Sequence, residues 1–434
     1  MRKTQKGVSF WAAVAMGVGA MVGAGIFALM GTAGAIAGSA VWISFVIGGG
    51  IALLSGYSFG RMGARYPAAG GLVEYLVQGF GPGRFSGTMS VMMYLGAIVG
   101  LSLVARTFGT YAVTLMPQGT PQIMVPVMAG TVVLAFMILN LGGARAMARV
   151  ETLVVVIKMA VLVVFAIAGL IFIDPAQLSP ATYPPTPSIL FSVAITFFAY
   201  EGFRVITNAA EDMDNPARTL PRAIMTSILL VMVVYVALAL SVFGNLPPEK
   251  VIAAQDYALA EAARPAFGQT GFTIVAIAAL FSTASAINAA LFAVTNVGYE
   301  MARKGELPHA FGTPVGHSRE GLLISGGLIL LMALFFDLSA IAEIGAISML
   351  MIHMVTHIGH LRLIRETGAN RGMIWAAVLA NGGAVTLGVW HLIGTKPIVL
   401  FWILCFGTAA FVIEMLLHSA TGRTIATRTP RRGT

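Results

Sequence analysis

Long apolar runs separated by short polar segments dominate the chain. Residues 7–60, 107–144, 223–248 and 265–299 contain no Asp, Glu, Lys or Arg. A membrane-spanning helix needs about 20 apolar residues, and these runs are continuous rather than alternating, which favours helices over barrel strands. The pattern predicts twelve transmembrane helices, near residues 9–35, 40–62, 85–114, 123–141, 150–173, 189–210, 223–243, 272–301, 322–336, 344–363, 374–393 and 398–417.

Composition supports the same class of protein. Of the 434 residues, 58% are hydrophobic and only 10% are charged, whereas soluble proteins carry roughly 25% charged residues. The 50 glycines fit this class, because glycine is tolerated in packed membrane helices. A soluble enzyme, a disordered chain and a disulfide scaffold are excluded. We expect an all-α polytopic membrane protein forming a single transmembrane domain over residues 1–434, with the lipid bilayer as its surroundings.

The net charge of +9 follows from topology and does not indicate nucleic-acid binding. With twelve spans, twenty of the 26 basic residues lie in the loops and tails on the side of the two termini, and three lie on the other side. Because basic residues collect on cytoplasmic loops, both termini are predicted to be cytoplasmic, in a multi-pass protein of the cell (plasma) membrane. The first apolar run is too long for a signal peptide, so we expect it to be retained.

Two predicted helices carry glycines at mid-depth. The first contains Gly23 and Gly25 around Ala24, and the sixth contains Gly202 beside Glu201. If helices one to five and six to ten are inverted repeats, breaks at these glycines would fall at equivalent places, which is the sequence pattern of a transporter binding site. A break frees N–H groups for a carboxylate and C=O groups for an ammonium, and an α-amino acid carries both. The alternative is that the glycines only allow close helix packing.

Four segments give the chain a family resemblance. It resembles the amino acid–polyamine–organocation (APC) permeases, most closely the ApcT-type proton-coupled amino-acid transporters, in Gly19-Ala20-Met21-Val22-Gly23-Ala24-Gly25-Ile26-Phe27, Tyr66-Pro67-Ala68-Ala69-Gly70-Gly71, Glu211-Asp212-Met213-Asp214-Asn215-Pro216 with Pro221-Arg222-Ala223, and Arg303-Lys304-Gly305-Glu306-Leu307-Pro308. The resemblance implies the LeuT-type 5+5 inverted repeat with broken helices 1 and 6. The two repeats would occupy residues 9–173 and 189–363, followed by two peripheral helices over 374–417.

The same resemblance implies a binding site. The substrate carboxylate would meet backbone N–H groups at Ala24 and Gly25, its ammonium would meet carbonyls near Met21 and Phe198, and the Phe198 ring would act as a lid. The implied substrate-binding residues are Met21, Gly23, Ala24, Gly25, Phe198, Ala199 and Glu201. Ser282 and Ser285 on the eighth helix would line the ion side.

Lys158 is a charge inside the fifth predicted helix. It lies about eight residues, or roughly 12 Å, from the predicted cytoplasmic end. A charged lysine at mid-membrane costs about 2.5–3.5 kcal/mol on insertion scales, so it needs polar partners or must lose its proton. The resemblance implies that its ammonium takes the place of a sodium ion and serves proton coupling. The alternative is a long side chain that reaches the cytoplasmic interface.

Glu201 and Arg204 lie three residues apart in the sixth helix. They can form an i,i+3 pair, which favours neutral substrates, or Glu201 can pair with the distal ammonium of a cationic substrate. Here the sequence departs from the family, in which these positions are commonly apolar, small or acidic.

His353, His357 and His360 share one helix face at metal-ligand spacing, but no Cys or carboxylate joins them locally, so no metal is predicted.

The motifs of other chemistries are missing from the sequence. No Walker A motif, nucleophile elbow or HExxH motif occurs, so we predict no ATP, no cofactor and no enzymatic activity. The expected function is secondary active import of amino acids, coupled to protons, by alternating access. One alternative is an amino-acid or polyamine exchanger in which Lys158 is only structural. Another is an amino-acid-sensing transceptor, which would call for a soluble partner domain or a long tail, and the sequence predicts neither.

Overall fold

The computed structural model describes residues 7–68, 70–142, 147–303, 305, 307–316 and 318–421. For residues 24, 147–154, 255, 420 and 421 it describes the backbone but not the side chain. The side chain of Ala24, the motif residues Ala69, Lys304 and Glu306, and the basic residues near both termini therefore lie outside the described part of the chain.

Helices make up almost all of the described chain. The first half contains α1 (Phe10–Ala37), α2 (Val41–Arg65), α3 (Leu72–Phe80), α4 (Arg84–Thr114), α5 (Met124–Leu141) and α6 (Met147–Ile171). The second half contains α7 (Thr186–Phe191), α8 (Val193–Ala199), α9 (Val205–Asn208), α10 (Pro216–Asn245), α11 (Pro248–Ala253), α12 (Ala258–Glu261), α13 (Arg264–Arg303), α14 (Glu320–Phe335), α15 (Leu338–Arg362), α16 (Ile364–Thr367), α17 (Arg371–Thr395) and α18 (Pro397–Thr421). A short hairpin pairs β1 (Pro314–Val315) with β2 (Ser318–Arg319).

Many of these helices are long and apolar enough to cross a bilayer. Among the described residues, nine helical stretches meet that requirement by length and composition, and Phe10–Gly23, Val155–Ile171 and Glu320–Phe335 are shorter apolar helices. The prediction of a helical polytopic membrane protein is therefore confirmed. Every predicted helix overlaps a described one, and the largest offset is at α13, which begins at Arg264 instead of residue 272 and is interrupted by Gly268 at φ 61°.

The predicted break in the first helix is wrong. α1 runs as an unbroken α-helix from Phe10 to Ala37, between an N-cap at Ser9 and Gly38 at φ 53°. A mid-helix glycine costs only about 1 kcal/mol relative to alanine, which tertiary packing readily outweighs. α1 is packed on most of its surface by α8, α10, α13 and α4. Gly23 and Gly25 therefore act here as small residues at helix contacts.

The sixth predicted helix is irregular where the sequence indicated. Within Thr186–Asn208, which we call span six, α8 ends at Ala199, Glu201–Arg204 form a 3₁₀ turn, and α9 follows. A Cβ at Gly202 would lie 2.5 Å from the carbonyl carbon of Ala20. The irregular turn therefore sits directly against the backbone of α1.

Two of the sequence motifs position this region. Gly71 has φ 50°, and a Cβ on it would overlap Asn208 Oδ1, so the loop after α2 lies against the end of span six. Asn215 caps α10 through its side chain, which accepts from the backbone N–H of Arg218 at 3.3 Å.

α17 and α18 are the least buried of the long helices. Only 33% and 17% of their most apolar stretches are buried, against 72% for α4, span six and α15.

Candidate functional site

Side chains from three neighbouring helices hydrogen-bond to carbonyls of α1 between Gly19 and Val22. Lys158 Nζ on α6 donates to Gly19 O at 2.8 Å. Tyr235 Oη on α10 donates to Met21 O at 2.7 Å, and Ser282 Oγ on α13 donates to Val22 O at 3.2 Å. All three side chains are buried. A carbonyl has two lone pairs, so a helical C=O can accept from a side chain as well as from its own helix.

Lys158 lies inside the protein. Its residue is only 3% exposed, which excludes a side chain that extends to the cytoplasmic interface. A buried ammonium is tolerated only with hydrogen-bond acceptors, and Gly19 O is one that α1 supplies. Lys158 therefore links α6 to α1. Ser282 on α13, the eighth predicted helix, contacts α1 three residues further along, at Val22 O.

The backbones of α1 and span six touch at two places. A Cβ on Gly25 would overlap Ala199 O and lie 2.5 Å from Tyr235 Oη. One turn along, Gly202 abuts the backbone of Ala20. Tyr235 Oη also lies 3.4 Å from Ala199 O, so the same hydroxyl links both helices. The structure thus brings Met21, Gly25 and Ala199 together, as the sequence predicted.

Other predicted residues occupy packing positions. A Cβ on Gly23 would overlap Ala286 Cβ of α13, so Gly23 is a helix–helix contact. The ring of Phe198 lies against Gly345 of α15, where a Cβ would be 2.5 Å from its Cζ. The Ser285 side chain is half-buried, and within the described part of the chain no hydrogen bond from it is found. The lid role of Phe198 and the ion-side role of Ser285 stay predictions.

Glu201 forms a buried cluster with Arg204 and His353. Arg204 Nε lies 2.7 Å from Glu201 Oε1, and His353 Nε2 lies 3.3 Å from Oε2. Both carboxylate oxygens, Arg204 Nε and both His353 ring nitrogens lack a well-aligned hydrogen bond within the described residues. The close approach is therefore electrostatic rather than a set of formed hydrogen bonds. This contact adds His353, about 150 residues further along the chain, to the i,i+3 pair that the sequence predicted.

Sequence reasoning missed two members of this region. Tyr235 is the only tyrosine in the apolar run of α10. Its hydroxyl at mid-membrane needs a hydrogen-bond partner, and this is the signal by which the sequence could have indicated it. His353 was considered only as a metal-ligand candidate. It is fully buried and packed edge-on against Phe59 and Phe197, with ring centroids 4.8 and 5.3 Å apart. Its contact with Glu201 joins elements too distant in sequence to pair by pattern.

Comparison with known proteins assigns the class of protein. The model of the amino acid permease family matches residues 8–426, and the chain belongs to that family. It is an integral membrane transporter and not an enzyme. The family resemblance read from the sequence motifs is confirmed.

Individual relatives agree with this assignment. The chain is 34% identical over 428 residues to an uncharacterised protein of Methanocaldococcus jannaschii, covering 98% of both chains. It is 33% identical over 414 residues to the inner membrane transport protein YbaT of Escherichia coli, covering 95% of this chain and 96% of that one. It is 25% identical over 312 residues, 70% of each chain, to the serine/threonine exchanger SteT of Bacillus subtilis.

Proposed function

We propose that this permease imports amino acids together with protons by alternating access. Membership of the amino acid permease family supports amino-acid transport. We further propose twelve spans arranged as inverted repeats over residues 9–173 and 189–363, with peripheral helices over 374–417. The low burial of α17 and α18 supports the peripheral placement of the last two. The strong bias of basic residues supports a plasma-membrane protein with cytoplasmic termini.

The proposed substrate site lies between α1 and the irregular turn of span six. Met21, Gly25 and Ala199 meet there, and the turn at Glu201–Arg204 interrupts regular helical hydrogen bonding. Because the two backbones touch at Gly25 and Gly202, a substrate can enter only if α1 and span six part. That requirement supports a transport cycle in which binding and helix separation occur together.

The observation that carries the coupling proposal is the hydrogen bond from the Lys158 ammonium to Gly19 O of α1. A charged donor makes a stronger hydrogen bond than a neutral amine. Loss of the proton weakens the attachment of α6 to α1 at the depth where α1 meets span six. Protonation of Lys158 and movement of α1 are thereby linked, which is what symport of a proton with a substrate requires.

The Glu201–Arg204 contact supports neutral substrates. The 2.7 Å approach of Arg204 Nε neutralises the carboxylate from within the same 3₁₀ turn. A cationic substrate would have to compete with that guanidinium for Glu201. We therefore propose neutral amino acids as the substrate class. The relative SteT, named a serine/threonine exchanger, agrees with this substrate class.

Exchange without proton coupling is the second candidate function. The similarity to SteT favours it, because that relative is named an exchanger. In this case Lys158 stays protonated throughout and its bond to Gly19 O is only structural.

The test uses wild-type protein, Lys158→Ala and Lys396→Ala in proteoliposomes. Lys396 is a matched control, since it is exposed and pairs with Glu343 at 2.9 Å, away from α1. We expect uphill uptake of labelled amino acids driven by an imposed pH gradient in wild type and Lys396→Ala, and its loss in Lys158→Ala with substrate binding retained. Gradient-driven uptake that persists in Lys158→Ala would exclude Lys158 as the proton carrier. Wild-type exchange that ignores the gradient would establish the second candidate.

A further inference from the structure

Buried polar side chains continue from Glu201 along one face of α15. We call His353, His357, Ser58, His360 and Thr367 the histidine line. The three histidines and Ser58 are fully buried, and Thr367 is 8% exposed. Glu201 stands at the head of the line, 3.3 Å from His353 Nε2. Next to its far end, Arg365 and Glu366 are exposed, so the line leads from the centre of the protein to its surface.

The hydrogen bonds at the start of the line allow one consistent direction. The Asn381 amide nitrogen donates to Ala377 O at 2.8 Å and to Ser55 Oγ at 3.1 Å. The Ser55 hydroxyl keeps its own hydrogen and can donate it to His357 Nε2, which lies 3.0 Å away. A neutral imidazole has one N–H, so His357 carries it on Nδ1 and donates to Ser58 Oγ at 2.9 Å.

The same direction continues to the surface. In this assignment Ser58 Oγ accepts from His357 and gives its own hydrogen to His360 Nδ1, 2.8 Å away. His360 then carries its proton on Nε2 and donates to Thr367 Oγ1 at 2.9 Å. Thr367 donates to Leu363 O at 3.1 Å. With these tautomers every donor from Ser55 onward points towards the exposed end of α15, an order that suits passage of a proton outwards from the centre.

The passage conserves protons at each step. A proton arriving at His357 Nε2 releases the one on Nδ1 to Ser58. Ser58 passes its own hydrogen to His360 Nδ1, His360 Nε2 releases one to Thr367 Oγ1, and the hydrogen of Thr367 leaves to water. His357 now carries its hydrogen on Nε2 and His360 on Nδ1, so both rings must turn over and the hydroxyls rotate back before the next proton. Between His353 and His357 the ring centroids are 6.2 Å apart, so this step needs rotation of a ring.

Other ionisable groups also face the line. Arg204 pairs with Glu201 from span six. From α2, Arg61 acts electrostatically on His360. From α3, Tyr75 lies against the ring of Phe59, which contacts both His353 and His357. Past its end, Glu366 accepts a hydrogen bond from Tyr66 at 2.6 Å.

We propose that Glu201 and His353 form a second protonatable site, distinct from Lys158, and that the histidine line conducts its proton between the substrate region and the surface at the end of α15. The polar atoms of Glu201 and His353, which lack well-aligned hydrogen bonds in the described residues, are the groups that accept it. The proposal rests on the proton coupling proposed above. In the predicted orientation, the end of α15 faces the cytoplasm, where an importer releases its protons.

The test separates conduction from binding. Proteoliposomes filled with a pH-sensitive dye report internal acidification when a mixture of the standard amino acids is added outside, and a radiolabelled mixture reports exchange at equal pH. Ser58→Ala removes the hydroxyl that joins His357 to His360, whereas Ser58→Thr keeps one. Ser241→Ala is the matched control, because this buried serine only donates to Ala166 O, at 2.8 Å.

We expect Ser58→Ala to keep exchange but to acidify the interior less for each amino acid imported than wild type, because only the proton of Lys158 still crosses, while Ser58→Thr and Ser241→Ala retain both at the wild-type level. Wild-type acidification in Ser58→Ala would overturn the histidine line. If Ser58→Ala and a second variant, His360→Gln, lose exchange together with acidification, the line serves folding only and the proposal is wrong. A wild-type protein that exchanges without acidifying would instead refute the proton coupling itself, so the two failures are distinguishable.

Discussion

Replacing Gly25 with alanine adds one methyl group at the closest contact between α1 and span six. The new Cβ would overlap Ala199 O and lie 2.5 Å from Tyr235 Oη, whereas ordinary contacts of this kind begin at 3.4 Å. Ala199 O belongs to the backbone, and Tyr235 Oη belongs to a fully buried side chain. Tyr235 would therefore have to withdraw by about 1 Å, enough to break its 2.7 Å bond to Met21 O.

The opposing free energies are of known size. Overpacking costs about 1–3 kcal/mol, and the lost hydrogen bond adds about 0.5–1.5 kcal/mol. Against this, alanine is favoured over glycine within a helix by about 1 kcal/mol. We expect Gly25→Ala to lower the free energy of unfolding by about 0.5–3.5 kcal/mol in total. A separate consequence is weaker substrate binding, because a methyl group then occupies part of the substrate site proposed between α1 and span six.

Thermal unfolding of the purified protein, with and without amino-acid mixture, measures both effects. Gly383→Ala is the control, since this exposed glycine of α17 has no atom within 4 Å of a new Cβ and should gain the helical preference alone. The two variants are thus expected to shift the unfolding midpoint in opposite directions. A midpoint for Gly25→Ala at or above that of wild type would refute the close approach. Unchanged substrate affinity in a folded Gly25→Ala protein would refute the location of the site.

Three further predictions test other contacts. Glu201→Gln should alter competition by leucine, alanine and lysine against a labelled substrate, and an unchanged profile would make Glu201 part of the scaffold. Tyr235→Phe should destabilise the protein by about 0.5–1.5 kcal/mol, because Met21 O loses a donor, and an unaltered unfolding midpoint would contradict this. Burial raises the pKa of Asp256 above 3.8, so its neutral form is favoured in the fold and stability should fall as pH rises through the raised value. Asp256→Asn should remove this part of the pH dependence of the unfolding midpoint, and an identical pH profile in the variant would contradict it.

Helix positions were predictable because most apolar runs are close to the length of about 20 residues that a bilayer requires, although α14 has only 16 residues. The residues at which helices begin and end were less predictable. α10 begins at Pro216, in polar sequence before the predicted residue 223, because the Asn215 cap and the proline at its first turn start the helix there. The short α3 was missed, since nine residues do not register in a search for membrane spans. Caps and short helices of this kind give a weaker sequence signal than the length of an apolar run.

The candidate site was predictable only in part. The glycines indicated where α1 and span six meet, but glycine allows both a break and a close contact, and only the neighbouring helices decide between them. α1 remained helical, whereas span six became a 3₁₀ turn at Glu201. The partners of the histidines were beyond sequence reasoning, because His357 and Ser58 are 299 residues apart. A spacing of i, i+4, i+7 predicts a shared face and leaves open what lies against it.

The donors to Gly19 O, Met21 O and Val22 O also restrict how α1 can move. Successive residues of an α-helix are turned by about 100°, so Gly19 and Val22 lie near one face and Met21 lies towards the opposite one. The donors on α6 and α13 therefore hold one side of α1, and the donor on α10 holds the other. Rotation or sliding of α1 by one residue would break all three bonds at once. A tilt of α1 about this level would preserve them, and the two ends of the helix would then move in opposite directions.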